Sequence, residues 1–281
     1  MTELLLLYWP TVLAAFFMGA TLSVVGAFLV TRQAAVQTIA VSQSAGLGVS
    51  IGLLISQVFF SEGHIEHTAI PLICGLLISA VGFALTEWVA RHSHSPTVVY
   101  LSAFALFWGL SQLLIGFFPV VESHATALYF GDLVTLTKNE AFFFLGFAAL
   151  ISAYLLRLWK GISARAFLSA ILEEPLSLGS AMDLSFYVVS LTLVCLSVQL
   201  LGLLFTISCL FLPTAVYSFS PRVGVGRHLV RVAISAAAAA SLGFLVSLAE
   251  SRFLTTPLIT ALMVILPSFH ILSERVILRC K

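Results

Sequence analysis

Four side chains able to ligate a metal stand within six residues of one another: Glu62, His64, Glu66 and His67, in the run EGHIEH. Imidazole nitrogen and carboxylate oxygen both suit zinc and similar ions. A short loop also collects polar residues with no ion to hold, so the cluster reads as solvated surface as well. His64, Glu66 and His67 are the metal candidates it offers. A second chemical signal is the run TRQAAVQTIAVSQSAGLGVSIG from Thr31 to Gly52. Ser44, Gly48 and Gly52 recur every fourth residue, and so do Ser42, Gly46 and Ser50. Small residues at this spacing let helices approach closely in lipid, and simple packing accounts for them. Gln33, Gln37 and Gln43 add amides to the same helix. An amide deep in an apolar interior needs a partner or water, which favours a helix lining a polar pathway.

Other chemistry has little to stand on. The sequence contains no G-x-x-x-x-G-K-[ST] phosphate loop, no G-x-S-x-G and no H-E-x-x-H. No catalytic residue is expected, and no cofactor on this chain. Cys74, Cys195, Cys209 and Cys280 are far apart and form no C-x-x-C pair; three sit in apolar runs, where cysteine is a small hydrophobe. Glu87, Asp132, Asp183 and Glu250 fall near the ends of apolar runs, where a long polar side chain can snorkel to the interface.

The elements that position these residues follow from composition. Of 281 residues 60% are hydrophobic and 9% charged, against about 25% charged in a soluble domain. Such a chain cannot cover itself with hydrated groups, and its solvent is lipid. In lipid the backbone satisfies its own hydrogen bonds, which points to helices. Apolar stretches run over Leu4–Val30, Ile39–Phe60, Thr68–Ala90, Val98–Val121, Ala141–Leu158, Leu184–Leu203, Leu204–Phe219, Leu229–Ala249 and Leu258–Leu272. The sixth and seventh form one continuous run, divided here near Gly202 because about 20 residues suffice for a crossing. The expected fold is a single all-α polytopic membrane domain over residues 1–281, with about nine transmembrane helices, eight being the alternative. The first run lacks a basic leader and reads as a span, not a cleaved signal.

Orientation follows the basic loops. Arg32, Arg91, Arg157, Lys160, Arg165, Arg222, Arg227, Arg231, Arg275, Arg279 and Lys281 fall on one side if there are nine spans with the N-terminus outside and the C-terminus in the cytoplasm. Lys138 and Arg252 are the exceptions. Two pieces do not span: Glu122–Glu140 on the outer side and Gly161–Met182 on the inner side. The latter contains ARAFLSAILEEPLSLGS, whose Phe167, Leu168, Ile171 and Leu172 form an amphipathic turn followed by Glu173 and Glu174. A short helix there suits either the membrane surface or a protein partner. Net charge is +1, with no basic stripe for nucleic acid.

Read as a whole, the chain resembles the permease subunits of bacterial zinc/manganese (and iron) ABC importers. The likeness is carried by GAFLVTRQAAVQTIAVSQSAGLGVSIG at Gly26–Gly52, YFGDLVTLTKNE at Tyr129–Glu140, LLGLLFTISCLFLPTAVYSF at Leu200–Phe219 and TTPLITALMVIL at Thr255–Leu266. The resemblance implies a type II ABC importer-like permease in the bacterial inner membrane. It implies a homodimer, a cytoplasmic ATPase that alone binds ATP, and an extracytoplasmic metal-binding protein. It places the ATPase-coupling segment near 161–182, with Phe167, Leu168, Ile171, Leu172, Glu173 and Glu174 as its contacts. It places the substrate pathway at Thr38, Ile39, Ser42 and Gln43. The family's acid-and-histidine pair, four residues apart, falls on Ile39 and Gln43 here. Isoleucine cannot bind a metal and a glutamine oxygen is a weak zinc ligand, so a different cargo stays open. A stand-alone secondary transporter is the rival, although neither inverted repeats nor intramembrane charges are visible; a non-transporting membrane scaffold is a third reading.

Overall fold

A computed structural model of the chain describes residues 2–59, 69–131, 133, 136–172, 180–220, 223–250 and 253–279. These residues form eleven helices: α1 (Thr2–Thr31), α2 (Ala35–Phe59), α3 (Ala69–Arg91), α4 (Pro96–Phe117), α5 (Pro119–Phe130), α6 (Lys138–Arg157), α7 (Trp159–Leu172), α8 (Ala181–Leu201), α9 (Leu203–Tyr217), α10 (Val225–Ala249) and α11 (Thr255–Arg279). Among the described residues there is no strand. Eight helices are long and apolar enough to cross a membrane, namely α1–α4, α6, α8, α10 and α11. The seventh apolar segment is present as α9 but has only 15 residues, about 22 Å of helix against a hydrocarbon core of about 30 Å.

Local sequence sets several boundaries. Pro96 opens α4, where a missing N–H costs nothing. The TKNE end of the YFGDLVTLTKNE segment is a capping box: the Thr137 N–H donates to the Glu140 carboxylate at 2.8 Å, and the Glu140 N–H donates back to the Thr137 hydroxyl. Ser180 caps α8 by accepting from the Met182 N–H at 3.3 Å. The break between α8 and α9 falls on Gly202, with φ 87° and ψ 157°. That backbone region is essentially closed to residues with a side chain, so glycine is what permits the expected division of the long apolar run.

The chain divides into two compact units interleaved in sequence: Met1–Arg32 with Asp132–Leu176 and Leu204–Lys281, and Gln33–Gly131 with Ser177–Leu203. In the first unit α1 packs against α6, α7 and α10, and α10 against α11. Gly19 of α1 faces Ala236 and Ala240 of the alanine-rich α10, so these helices lie close. Arg231 of α10 donates to both carboxylate oxygens of Glu274 on α11, one bond measuring 3.1 Å. In the second unit α2 is central, packed against α3, α4, α5 and α8. Ile73, Leu77, Val81 and Leu85 form an exposed stripe along α3, and Leu106, Trp108, Leu113 and Phe117 another on α4. A surface of this kind is an aggregation site in water and an ordinary one in lipid.

Candidate functional site

The polar and small residues of α2 separate onto two faces. Ser44, Gly48 and Gly52 pack against α3. A Cβ on Gly48 would stand 2.7 Å from the Cys74 carbonyl oxygen and 2.8 Å from the Gly75 Cα. A Cβ on Gly52 would stand 2.5 Å from the Pro71 Cα, and Ser44 meets Gly82 of α3. This stripe is a close helix–helix contact, as the packing reading expects.

The other face carries Ile39, Ser42, Gln43 and Gly46, which lie three or four residues apart and so share one side of the helix. Its hydroxyls are satisfied within the helix: Thr38 donates to the Ala34 carbonyl at 2.8 Å, Ser42 to Thr38 at 2.8 Å, and Ser50 to Gly46 at 3.0 Å. Gln43 differs. Only 5% of its surface is exposed, and its amide makes no hydrogen bond to any described residue. Gly46, one turn further on, is buried, yet no described atom lies within 4 Å of where a Cβ would stand. Here the bare backbone of Gly46 borders space that no described residue fills. Neither amide atom of Gln43 is among the fully enclosed unpartnered polar atoms, so the amide reaches accessible space where water can serve it.

A second constellation lies at the end of α2 nearer its N-terminus. Glu87 of α3 accepts three hydrogen bonds: from the Gln37 amide at 3.0 Å, from the Tyr100 hydroxyl of α4 at 3.3 Å, and from the Arg91 guanidinium at 3.0 Å. Its side chain is 22% accessible. The sequence reading of Glu87 as a snorkelling acid is corrected by this: its carboxylate ties three helices together. Gln37 was legible as an amide seeking a partner, and Glu87 with Arg91 has helical i, i+4 spacing. Tyr100 carried no signal, because a tyrosine in an apolar run reads as core.

Asp183 also departs from the snorkelling expectation. It is fully buried in the first turn of α8, where the helix dipole favours a negative charge. Glu250 is exposed at the end of α10 as expected; Asp132 lies outside the described residues. Glu62, His64, Glu66 and His67 lie outside them too, as do Glu173 and Glu174. Among the described residues no three His, Cys, Asp or Glu side chains come together in a way that could hold a metal. The start of the expected 161–182 segment is helical: α7 begins at Trp159 and ends at Leu172. Its Ile162 and Ala166 are buried, while Phe167, Leu168 and Ile171 are exposed.

Long apolar helices with large apolar side chains turned outward define the chain as a polytopic membrane protein. The chain belongs to the ABC 3 transport family, whose sequence profile matches residues 6–274. Among solved structures, it is similar to a chain of PsaBC from Streptococcus pneumoniae in complex with Fab, with a TM-score of 0.72 and 17% identity over 93% of this chain and 90% of that one. It is also similar to a chain from a structure described as an inward-facing conformation of a metal-chelate type ABC transporter, with a TM-score of 0.62 and 19% identity over 96% of this chain and 84% of that one. Among curated proteins none matches the chain significantly.

Proposed function

We propose that this chain is the permease subunit of an ATP-driven importer that moves a divalent transition metal, zinc or manganese, from an outer binding protein to the cytoplasm. Membership of an ABC transport family supports the ATP-driven part, since a chain without a phosphate loop takes its energy from a partner ATPase. A second copy of the chain completes the path, with the N-terminus outside and the C-terminus inside the bacterial inner membrane. Alternating access follows from binding-protein docking on one side and ATPase closure on the other. Exposed Phe167, Leu168 and Ile171 on α7 suit the ATPase contact.

The observation that carries the reading is the Gln43–Gly46 face of α2. It provides one weak oxygen ligand and open space where the resembled permeases carry a ligand pair. A path of this kind passes the ion with few protein contacts and holds it briefly. The test is zinc and manganese uptake by cells producing the full complex, with and without this chain. Uptake of either metal that depends on the chain, and that Gln43→Leu abolishes at unchanged protein level, supports the proposal. Equal metal uptake with and without the chain overturns it.

A further inference from the structure

Within the first unit, α1, α6, α7 and α10 enclose an open groove of about 1000 Å³. Its floor is made of small residues, Ala20 and Val24 of α1 and Ala233 of α10. Its rims are large apolar side chains left exposed, among them Phe17, Leu156 and Val230. The stretch of α1 lining it, from Phe16 to Val24, rises about 12 Å, most of one leaflet's half of a hydrocarbon core of about 30 Å. One end of the groove is different in kind. There Arg157 closes α6 and Lys160 stands in the first turn of α7, both exposed and both lining the groove. Neither has an acidic partner among the described residues. Trp159 lies between them in sequence and also lines the groove, its ring edge-on to Phe28 at 5.8 Å. Tryptophan is the side chain that settles at the membrane–water interface.

We propose that this groove is a binding site for one anionic glycerophospholipid, its acyl chains along the apolar floor and its phosphate between Arg157 and Lys160. The apolar length, the aromatic at headgroup level and the two exposed cations occur in the order in which a lipid presents tails, glycerol and phosphate. Basic pockets between helices on the cytoplasmic side recognise anionic headgroups in this way. A second copy of the chain is the competing occupant, but two cations at the end of the groove with no acid beside them among the described residues complement an anion. The inference is independent of which cargo the protein moves.

Native mass spectrometry of the full purified chain, with phosphatidylglycerol or phosphatidylcholine of matched acyl chains, reads the site directly. Each basic side chain favours an anionic lipid by roughly fivefold, so the pair gives phosphatidylglycerol a preference of about 30-fold. Arg157→Gln with Lys160→Gln should remove that preference and leave phosphatidylcholine retention unchanged. Ala233→Trp, which fills the floor, should reduce retention of both lipids. Thermal melting of each variant in phosphatidylcholine detergent micelles checks that the fold is kept. If a variant fails to fold, the parent chain decides alone: a preference for phosphatidylglycerol that inorganic phosphate does not displace supports a lipid site, and displacement by phosphate overturns it in favour of a free-anion site. Equal retention of the two lipids by the parent chain overturns the proposal. So does a Val230→Cys variant that forms a disulfide-linked pair in phosphatidylglycerol vesicles, because the groove is then covered by a second copy.

Discussion

Gly131 and Gly202 lie backbone against backbone, each in a conformation with positive φ, 72° and 87° respectively. A Cβ on Gly202 would fall 2.6 Å from the Cα of Gly131, and a Cβ on Gly131 would collide with the Leu201 carbonyl. The two glycines come from the YFG and LLG stretches, 71 positions apart in sequence. Their contact fixes where α5 ends relative to the break after α8.

Gly202→Ala should therefore destabilise the chain by about 1–3 kcal/mol from backbone strain alone, with the clash added. Chemical denaturation in detergent measures it. Gly46→Ala is the matched control: it stands in a helix with open space beside it, so alanine should be neutral or stabilising by about 0.5–1 kcal/mol. Equal losses for the two variants would contradict the account of both sites.

Gln43→Leu separates a pathway amide from a structural one. Because the Gln43 amide has no hydrogen-bonding partner among the described residues, leucine should leave the melting temperature unchanged or raised while transport is lost. A fall in stability with transport retained would show that the amide is structural. The double variant Ile39→Asp with Gln43→His restores an acid and an imidazole four residues apart on one helix face. Calorimetry with zinc and manganese should then show tighter binding than the parent chain.

Glu87→Ala removes one acceptor and strands the donors that face it. Gln37 is only 6% exposed, and an amide left unsatisfied there costs about 1–3 kcal/mol. Tyr100→Phe removes a single bond and should cost about 1 kcal/mol. The ordering of these two losses in a thermal melt is the check; a larger loss for Tyr100→Phe would mean that the carboxylate is not the hub.

Phe167→Asp with Ile171→Asp places two charges on the exposed face of α7. Ile162 and Ala166 keep the buried face intact, so the chain should insert and fold normally. Co-purification with the ATPase subunit should drop. Undiminished co-purification would remove α7 as the coupling element.

Much of this was legible in the sequence because lipid imposes so simple a rule. Apolar runs of about 20 residues become helices, and most of their positions were readable, although α11 continues past the expected Leu272 to Arg279 and the expected Val98–Val121 run breaks at Phe118 between α4 and α5. The division at Gly202 was readable because the run was too long for one crossing. The packing of Ser44, Gly48 and Gly52 followed from spacing alone. What escaped depends on contacts between distant segments. Nothing local marks Tyr100 or Glu87 as partners of Gln37, since α2, α3 and α4 bring them together only in the folded unit. The burial of Asp183 escaped for the same reason. The empty space beside Gly46 has no sequence signature at all, because a glycine at a contact and a glycine at a void are the same letter.

The interleaving of the two units has a consequence for synthesis. α1 is translated well before its partner α10, which begins at Val225, about 190 residues after Thr31, a delay of ~10–40 s at 5–20 residues per second. Until α6 begins at Lys138, α1 must survive without any of its packing partners. Its composition permits this: from Tyr8 to Thr31 it has no charged residue. Three of its hydroxyls bond within the helix, Thr21 donating to the Phe17 carbonyl at 2.7 Å, Ser23 to Ala20 at 2.8 Å and Thr31 to Ala27 at 2.7 Å. α2 has no such independence, since the Gln37 amide waits for Glu87, some 50 residues downstream. The first helix is thus built to stand alone and the second to be met promptly, so the order of translation is written into which polar groups each helix satisfies by itself.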